Sequence, residues 1–227
     1  MAPPAPPGAA VANERVVRLY DRLSRPYDVF VGPLQSVVRS QALDFLALEA
    51  DDHVLDVGCG PGHALVEISS RTSGGHVCGL DAAAGMIQRA RRRCGSAVGS
   101  DRVSLFLGDA RALPFRDGAF DAVFLEATLE LFSPAEMHTV LEEIARVLST
   151  DGRLCVVTME REEHERSRFV RLYDRLFEWL PGYRYVGCRP VYARRALEEA
   201  GFSTVQSVRE YHAGGWPADI YLVRPGQ

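Results

Sequence analysis

A doubly wound α/β sheet, mostly parallel and seven-stranded, is the fold this sequence predicts, and three observations predict it. Seven short apolar runs follow one another from residue 53 onward, most of them continuous rather than alternating, as strands covered on both faces require. Segments with helical spacing separate most of these runs. The first run passes directly into a glycine-rich turn, the arrangement that starts a helix beneath a ligand in such sheets. A chain of 227 residues suits one domain of this kind better than two.

Taken in order, residues 1–13 read MAPPAPPGAAVAN and lack both the basic and the apolar region of a secretory leader, so a disordered tail is expected there. Val16, Leu19, Tyr20 and Leu23 then recur at helical spacing, and a second amphipathic stretch runs from Leu34 to about Leu48. These predict two lead-in helices within 14–50. The strands are HVLDVG (53–58), GHVCGLD (75–81), RVSLFLGD (102–109), FDAVFLE (120–126), GRLCVVTM (152–159), TVQSV (204–208) and IYLVR (220–224). Ser133, Pro134 and Glu136 supply an N-cap, a proline at the first helical position and a capping-box acid, which predicts a helix to about Leu148. Asp117-Gly118 and Asp151-Gly152 read as turns ahead of strands. Gly214 to Pro217 is too short for a crossover helix, so the last two runs are expected to pair as a hairpin and the sheet to end with a reversed strand.

Composition narrows the chemistry. All 26 basic residues are arginine, which excludes mechanisms built on a Schiff-base, pyridoxal-phosphate or phosphate-binding lysine. No run approaches the roughly 18 apolar residues of a membrane span. Five cysteines without a CxxC pair point to reduced, mostly buried thiols in a cytoplasmic protein. A net charge of -4 and no appended binding module speak against nucleic acid, and the one basic cluster, Arg89 and Arg91 to Arg93, sits where it complements a helix C-terminus. No histidine pair has metal-ligand spacing, so no metal is expected. The sequence does not speak to oligomeric state, and it leaves transient contact with an anionic membrane surface open.

The turn Gly58-Cys59-Gly60-Pro61-Gly62 has GxGxG spacing with His63 where a dinucleotide-binding loop would want its third glycine, which suits a ligand without a pyrophosphate at that point. Asp56, Asp81 and Asp109 stand at or near the ends of three successive strands, where the binding crevice of a doubly wound sheet lies. Asp81 can accept from two ribose hydroxyls, and Asp109 with the Ala110 backbone can read an adenine edge. Three such acids beside one glycine loop form a specific signal for a nucleoside-bearing ligand.

With VLDVGCGPG, GLD, GDARALPF, FDAVF and RVLSTDGRL in this order, residues 15 to 211 resemble the class I S-adenosylmethionine-dependent methyltransferases, whose fold is Rossmann-like. The resemblance implies that Asp56, Gly58, Cys59 and Gly60 hold the methionine end, Asp81 the ribose, Ala82 and Met86 the adenine face, and Asp109 with Ala110 its edge. The opening YDRLSRPYD and the run ALEADDHVLDVGCG look most like the ubiquinone/menaquinone subgroup and its phospholipid-methylating relatives, in which Tyr20 and Tyr27 would close over the cofactor. LEATLEL, at the end of the fourth strand, departs from the quinone pattern. The implied organisation is a tail (1–13) and one domain (14–227), divided into lead-in lid helices (14–50), cofactor core (51–160), acceptor lid (161–200) and final strands (201–227).

Methyl transfer needs alignment more than a dedicated base. Where a proton must leave the acceptor, Glu126 is the chosen residue because it ends the fourth strand on the cofactor side; it is also a cofactor contact candidate. His138 and His164 lie on faces expected to be solvated. The aromatic stretch 169–192 is expected to wall an apolar, aromatic or lipid-like acceptor such as a quinone precursor or phospholipid head group, through Tyr173, Phe177, Tyr183 and Tyr192. Competing readings are methylation of an amine or natural-product metabolite, a nicotinamide-dependent oxidoreductase, and a non-catalytic protein that binds the same cofactor.

Overall fold

The computed structural model describes residues 18, 32–99, 102–161, 170–171, 174–175, 179, 189–211 and 217–226. Helix α1 spans Gly32–Leu46, and strand β1 (Val54–Val57) follows it. Next come α2 (His63–Arg71), β2 (Val77–Asp81), α3 (Ala84–Cys94), the single turn α4 (Ser96–Gly99) and β3 (Val103–Leu107). Strand β4 (Phe120–Glu126) leads through a 3-10 turn (Leu129–Leu131) into α5 (Pro134–Val147) and β5 (Leu148–Thr158). The chain finishes with α6 (Ala193–Glu199), β6 (Phe202–Tyr211) and β7 (Pro217–Pro225).

These strands form one sheet in the order β3-β2-β1-β4-β5-β7-β6. Pairing is parallel from β3 through β5 and antiparallel on both sides of β7. The hairpin is as expected, but its reversed strand lies inside the sheet and β6 forms the edge. Strand β7 is long and apolar, with Ala218, Ile220, Tyr221 and Val223 buried, whereas Ser203 to Ser207 of β6 are exposed. The more apolar strand therefore takes the covered position. Asp151-Gly152 is corrected as well: it falls within β5, where pairing to β4 skips from Leu148 to Arg153 and leaves Ser149 to Gly152 as a bulge.

Both faces of the sheet are covered. Leu55, Val57, Val123, Leu125, Leu154 and Val156 pack with α5 and α6, while Val54, Ala122, Phe124, Cys155 and Val157 pack with α1, α2 and α3. The strict alternation within β1, β4 and β5 sends successive side chains to opposite layers, so continuous apolar runs result. Helix α5 begins as predicted: Glu136 N–H donates to Ser133 Oγ at 3.3 Å, and Ser133 N–H to Glu136 Oε2 at 2.9 Å. Cys59, Cys78, Cys94 and Cys155 are free, buried thiols. No described helix is long and apolar enough to cross a membrane.

Candidate active site

The glycine turn after β1 is shaped by close approach from two directions. Gly58 has φ +73°, and a Cβ there would stand 2.2 Å from Thr128 Oγ1 in the turn after β4. Gly62, with φ +86°, lets the start of α2 pass so close to α3 that a Cβ would stand 2.9 Å from Ala90 Cα. Both positions therefore demand glycine on conformational and steric grounds. Arg93 fixes the turn from outside, donating from Nη1 to the Pro61 carbonyl at 2.6 Å. At least one member of the basic cluster thus does more than complement a helix end.

Asp81 closes β2 beside this turn. Its Oδ2 accepts from Gly60 N–H at 2.9 Å and its Oδ1 from Ala83 N–H at 2.8 Å, so the carboxylate sets the turn and the start of α3 together. Asp109 follows β3 directly beside it, since Gly108 N–H donates to the Asp81 carbonyl at 3.1 Å. The Asp109 carboxylate is held by Arg111, whose Nη2 lies 2.6 Å from Oδ2, and this keeps it below the usual carboxylate range. Arg111 also donates to Glu136 of α5 at 2.6 Å, tying the loop after β3 to the capped helix. Ala110 and Met86 are buried and Ala82 is exposed.

Beneath the turn, three acids and one arginine share a small volume. Asp56 is 2% exposed, and its Oδ2 has no hydrogen-bond partner among the described residues. Burial raises its carboxyl well above the usual range, Glu126 and Asp81 push the same way, and Arg39 opposes them. Glu126 ends β4, where its Oε2 accepts from Arg39 Nε at 2.7 Å and its Oε1 is buried without a partner among the described residues. Burial raises the Glu126 carboxyl too, against the pull of Arg39. The residue expected as a base is thus engaged in an ion pair through one oxygen, with the second oxygen uncommitted.

Arg39 is a functional residue that sequence reasoning missed. It comes from α1 at 3% exposure and also reaches Glu67 of α2 at 3.5 Å. A signal existed: positions 39, 42, 43 and 46 form an i, i+3, i+4, i+7 stripe whose other members, Ala42, Leu43 and Leu46, are apolar. An arginine in that stripe needs a buried acid to face.

Glu130 was also missed, as an acid standing between Leu129 and Leu131. It sits in the 3-10 turn at 3% exposure, and its Oε1 accepts from Met159 N–H at 3.2 Å. Burial raises its carboxyl from the ordinary 4.5 to about 7. With the folded value above the unfolded one, the group's contribution to stability is full below about 4.5 and is lost as pH rises to about 7. The Glu130→Gln variant, which cannot ionise, is expected to be the more stable protein at pH 8 by up to about 3 kcal/mol and to lose that advantage by pH 4. Urea unfolding at the two pH values checks this.

Among the other predicted site residues, Tyr192 is half-buried ahead of α6, with the Arg161 guanidinium 6.0 Å from its ring centroid. Tyr20, Tyr27, Tyr173, Phe177, Tyr183 and His164 lie outside the described residues. His138 is exposed and faces Glu142 at 3.3 Å. Among the described residues no group of three or more histidine, cysteine or acidic side chains could hold a metal ion.

Strand-end acids beside a glycine turn favour a cationic ligand, and the orphaned oxygen of Asp56 adds a buried acceptor beneath it. Known proteins agree with this chemistry. Residues 54–152 match the family model described as a methyltransferase domain. The chain is 32% identical over 178 residues to demethylmenaquinone methyltransferase of Symbiobacterium thermophilum, covering 75% of this chain and 68% of that one. It is 30% identical over 161 residues to the ubiquinone/menaquinone biosynthesis C-methyltransferase UbiE of Paracoccus denitrificans, covering 71% and 62% of the two chains. Among solved structures the [4+2]-cyclase SpnF aligns at a TM-score of 0.76 and 17% identity over 98% of this chain and 99% of that one, a likeness of fold. A glycine turn set by a strand-end aspartate, in a sheet of this strand order and with these relatives, places the chain in the class I S-adenosylmethionine-dependent methyltransferases. S-adenosylmethionine is its cofactor, which removes the nicotinamide-dependent reading.

Proposed function

We propose that the methyl acceptor is a small apolar or aromatic, lipid-like molecule, a quinone precursor or a phospholipid head group, and that the protein is an active catalyst rather than a silent binder of the cofactor. The observation that carries this reading is the pair of relatives whose names specify demethylmenaquinone and ubiquinone/menaquinone methylation. The aromatic stretch 169–192 supports it, as the part of the chain richest in rings and the proposed acceptor lid within 161–200.

The cofactor supplies a sulfonium methyl already activated for displacement, so the protein's share is to align the acceptor and exclude water. Asp56, Gly58, Cys59 and Gly60 hold the methionine end in this reading, Asp81 the ribose, Ala82 and Met86 the adenine face, and Asp109 with Ala110 the adenine edge. Glu126 orients the acceptor or receives its proton through the oxygen that Arg39 leaves uncommitted.

Incubation with methyl-labelled S-adenosylmethionine and fractionated host extract tests the acceptor class. Label is expected in quinone or phospholipid fractions. Label confined to polar nucleosides or tRNA overturns the proposal, and no label in any fraction overturns the catalytic reading.

A further inference from the structure

Strand β5 ends at Thr158, and the chain then runs through Glu160 and Arg161 into the stretch 162–190 before it returns through Val191 to α6. Exit and return lie side by side. Glu160 and Val191 form a parallel bridge, in which Val191 N–H donates to the Met159 carbonyl at 2.9 Å and Arg161 N–H to the Val191 carbonyl at 2.8 Å. The Glu160 side chain, 1% exposed, spans the same junction. Its Oε1 accepts from Arg161 N–H at 2.9 Å on the exit, and its Oε2 from Arg194 N–H at 3.0 Å, in the first turn of α6 on the return. Oε2 also accepts from the Tyr221 hydroxyl of β7 at 2.9 Å.

Each of these contacts joins parts of the chain that could otherwise move independently. Tyr192, at the N-cap position of α6, makes no side-chain cap, so Glu160 supplies from the end of β5 the acceptor that the helix lacks. A carboxylate there also suits the helix dipole. Burial and the neighbouring Glu160 push the Tyr221 phenol well above its ordinary range, so its hydroxyl stays a donor. Asp219, paired with Thr158 across β5 and β7, accepts from Glu160 N–H at 3.2 Å and from Arg209 Nε of β6 at 2.9 Å. The junction is thereby anchored to three strands and one helix. On its far side Arg161 grips both oxygens of Asp174, at 3.1 and 2.8 Å, and lies over the Tyr192 ring. Asp174 adjoins Tyr173 in sequence, so Arg161 ties two of the acceptor candidates to the group that Glu160 holds. Burying a carboxylate is costly, and packing alone would be served by an apolar residue. An apolar residue could not hold exit, return and β7 in one register.

We propose that Glu160 is a positioning residue for methyl transfer, fixing both ends of the acceptor stretch 161–192 against the sheet so that its aromatic residues face the cofactor's methyl in register. The inference rests on the reading of that stretch as the acceptor wall. Glu160 acts through Arg161 and α6 rather than by touching either reactant.

The test is steady-state methylation by the full chain of two probes, a short-chain prenylated naphthohydroquinone kept under argon and dihexanoylphosphatidylethanolamine. With whichever probe the parent methylates, Glu160→Leu is expected to raise the acceptor KM at least about tenfold, because the acceptor must then order its own wall, while the KM for S-adenosylmethionine stays within about twofold. Glu160→Gln keeps an acceptor oxygen for Tyr221 and Arg194 and is expected to return the acceptor KM to within about threefold of the parent. Should Glu160→Leu fail to fold, Tyr221→Phe decides: it removes one bond to Glu160 and is expected to raise the acceptor KM at least about threefold. A merely structural role would lower the folded fraction, and with it the apparent kcat, at unchanged KM. That result, or a rise in both KM values together, overturns the proposal. A parent that methylates neither probe overturns the acceptor reading itself, and the proposal with it, before any variant is compared, so the two failures are distinguishable.

Discussion

Asp81→Ala is expected to weaken S-adenosylmethionine binding at least about 100-fold, because a carboxylate accepting two hydroxyl hydrogen bonds supplies about 1.5 kcal/mol or more through each. The variant also loses the acceptor for Gly60 N–H and Ala83 N–H, so the turn and the start of α3 are no longer tied to each other. Asp81→Asn separates these effects. It retains one acceptor oxygen and is expected to fall between parent and alanine variant in affinity. Calorimetric titration measures both, with thermal unfolding as the control that each chain is folded. Equal affinity of parent and Asp81→Ala would remove Asp81 from the cofactor site.

Arg39→Met is expected to be the most destabilising single change in the site, costing about 3 to 5 kcal/mol at pH 8, because it leaves the buried Glu126 carboxylate without its cation. The same change strips Asp56 of the positive neighbour that opposes its burial. Both carboxyls should then take up protons more readily, so the loss should shrink as the pH falls and they become neutral. Glu126→Gln introduced into the Arg39→Met background is expected to recover part of the loss, giving a coupling of about 0.5 to 3 kcal/mol. Urea unfolding of the four proteins in the cycle measures it. An additive cycle would mean that the 2.7 Å contact contributes nothing to stability.

This ion pair also explains how the lead-in segment bears on the site. Helix α1 contributes Val38, Ala42, Leu43 and Leu46 to the core and Arg39 to the acids at the ends of β1 and β4. Its packing and its charge are therefore read out at the same place.

Much of the fold is legible in the residues because its signals are local. The capping box at Ser133 and Glu136, the period of the apolar runs and the spacing of Gly58, Gly60 and Gly62 each involve residues a few positions apart, and each appears where expected. The acids at the strand ends were legible for a related reason: a parallel sheet brings the same end of every strand to one edge, whatever the order of the strands. Asp151-Gly152 shows the limit, since a dipeptide that favours a turn was accommodated as a bulge by strand pairing on either side.

Sequence alone thus determined the α/β class, the glycine turn, the acidic edge and, through the resemblance they carry, the cofactor. Only the tertiary structure decided which strand lies beside which, that the reversed strand is internal, that Arg39 meets Glu126 across 87 positions and that Glu130 folds back onto Met159. The physical reason is separation along the chain. Local signals are limited to neighbours, whereas partners for a buried charge are chosen by how distant strands and helices pack, and no pattern within a single segment encodes that choice.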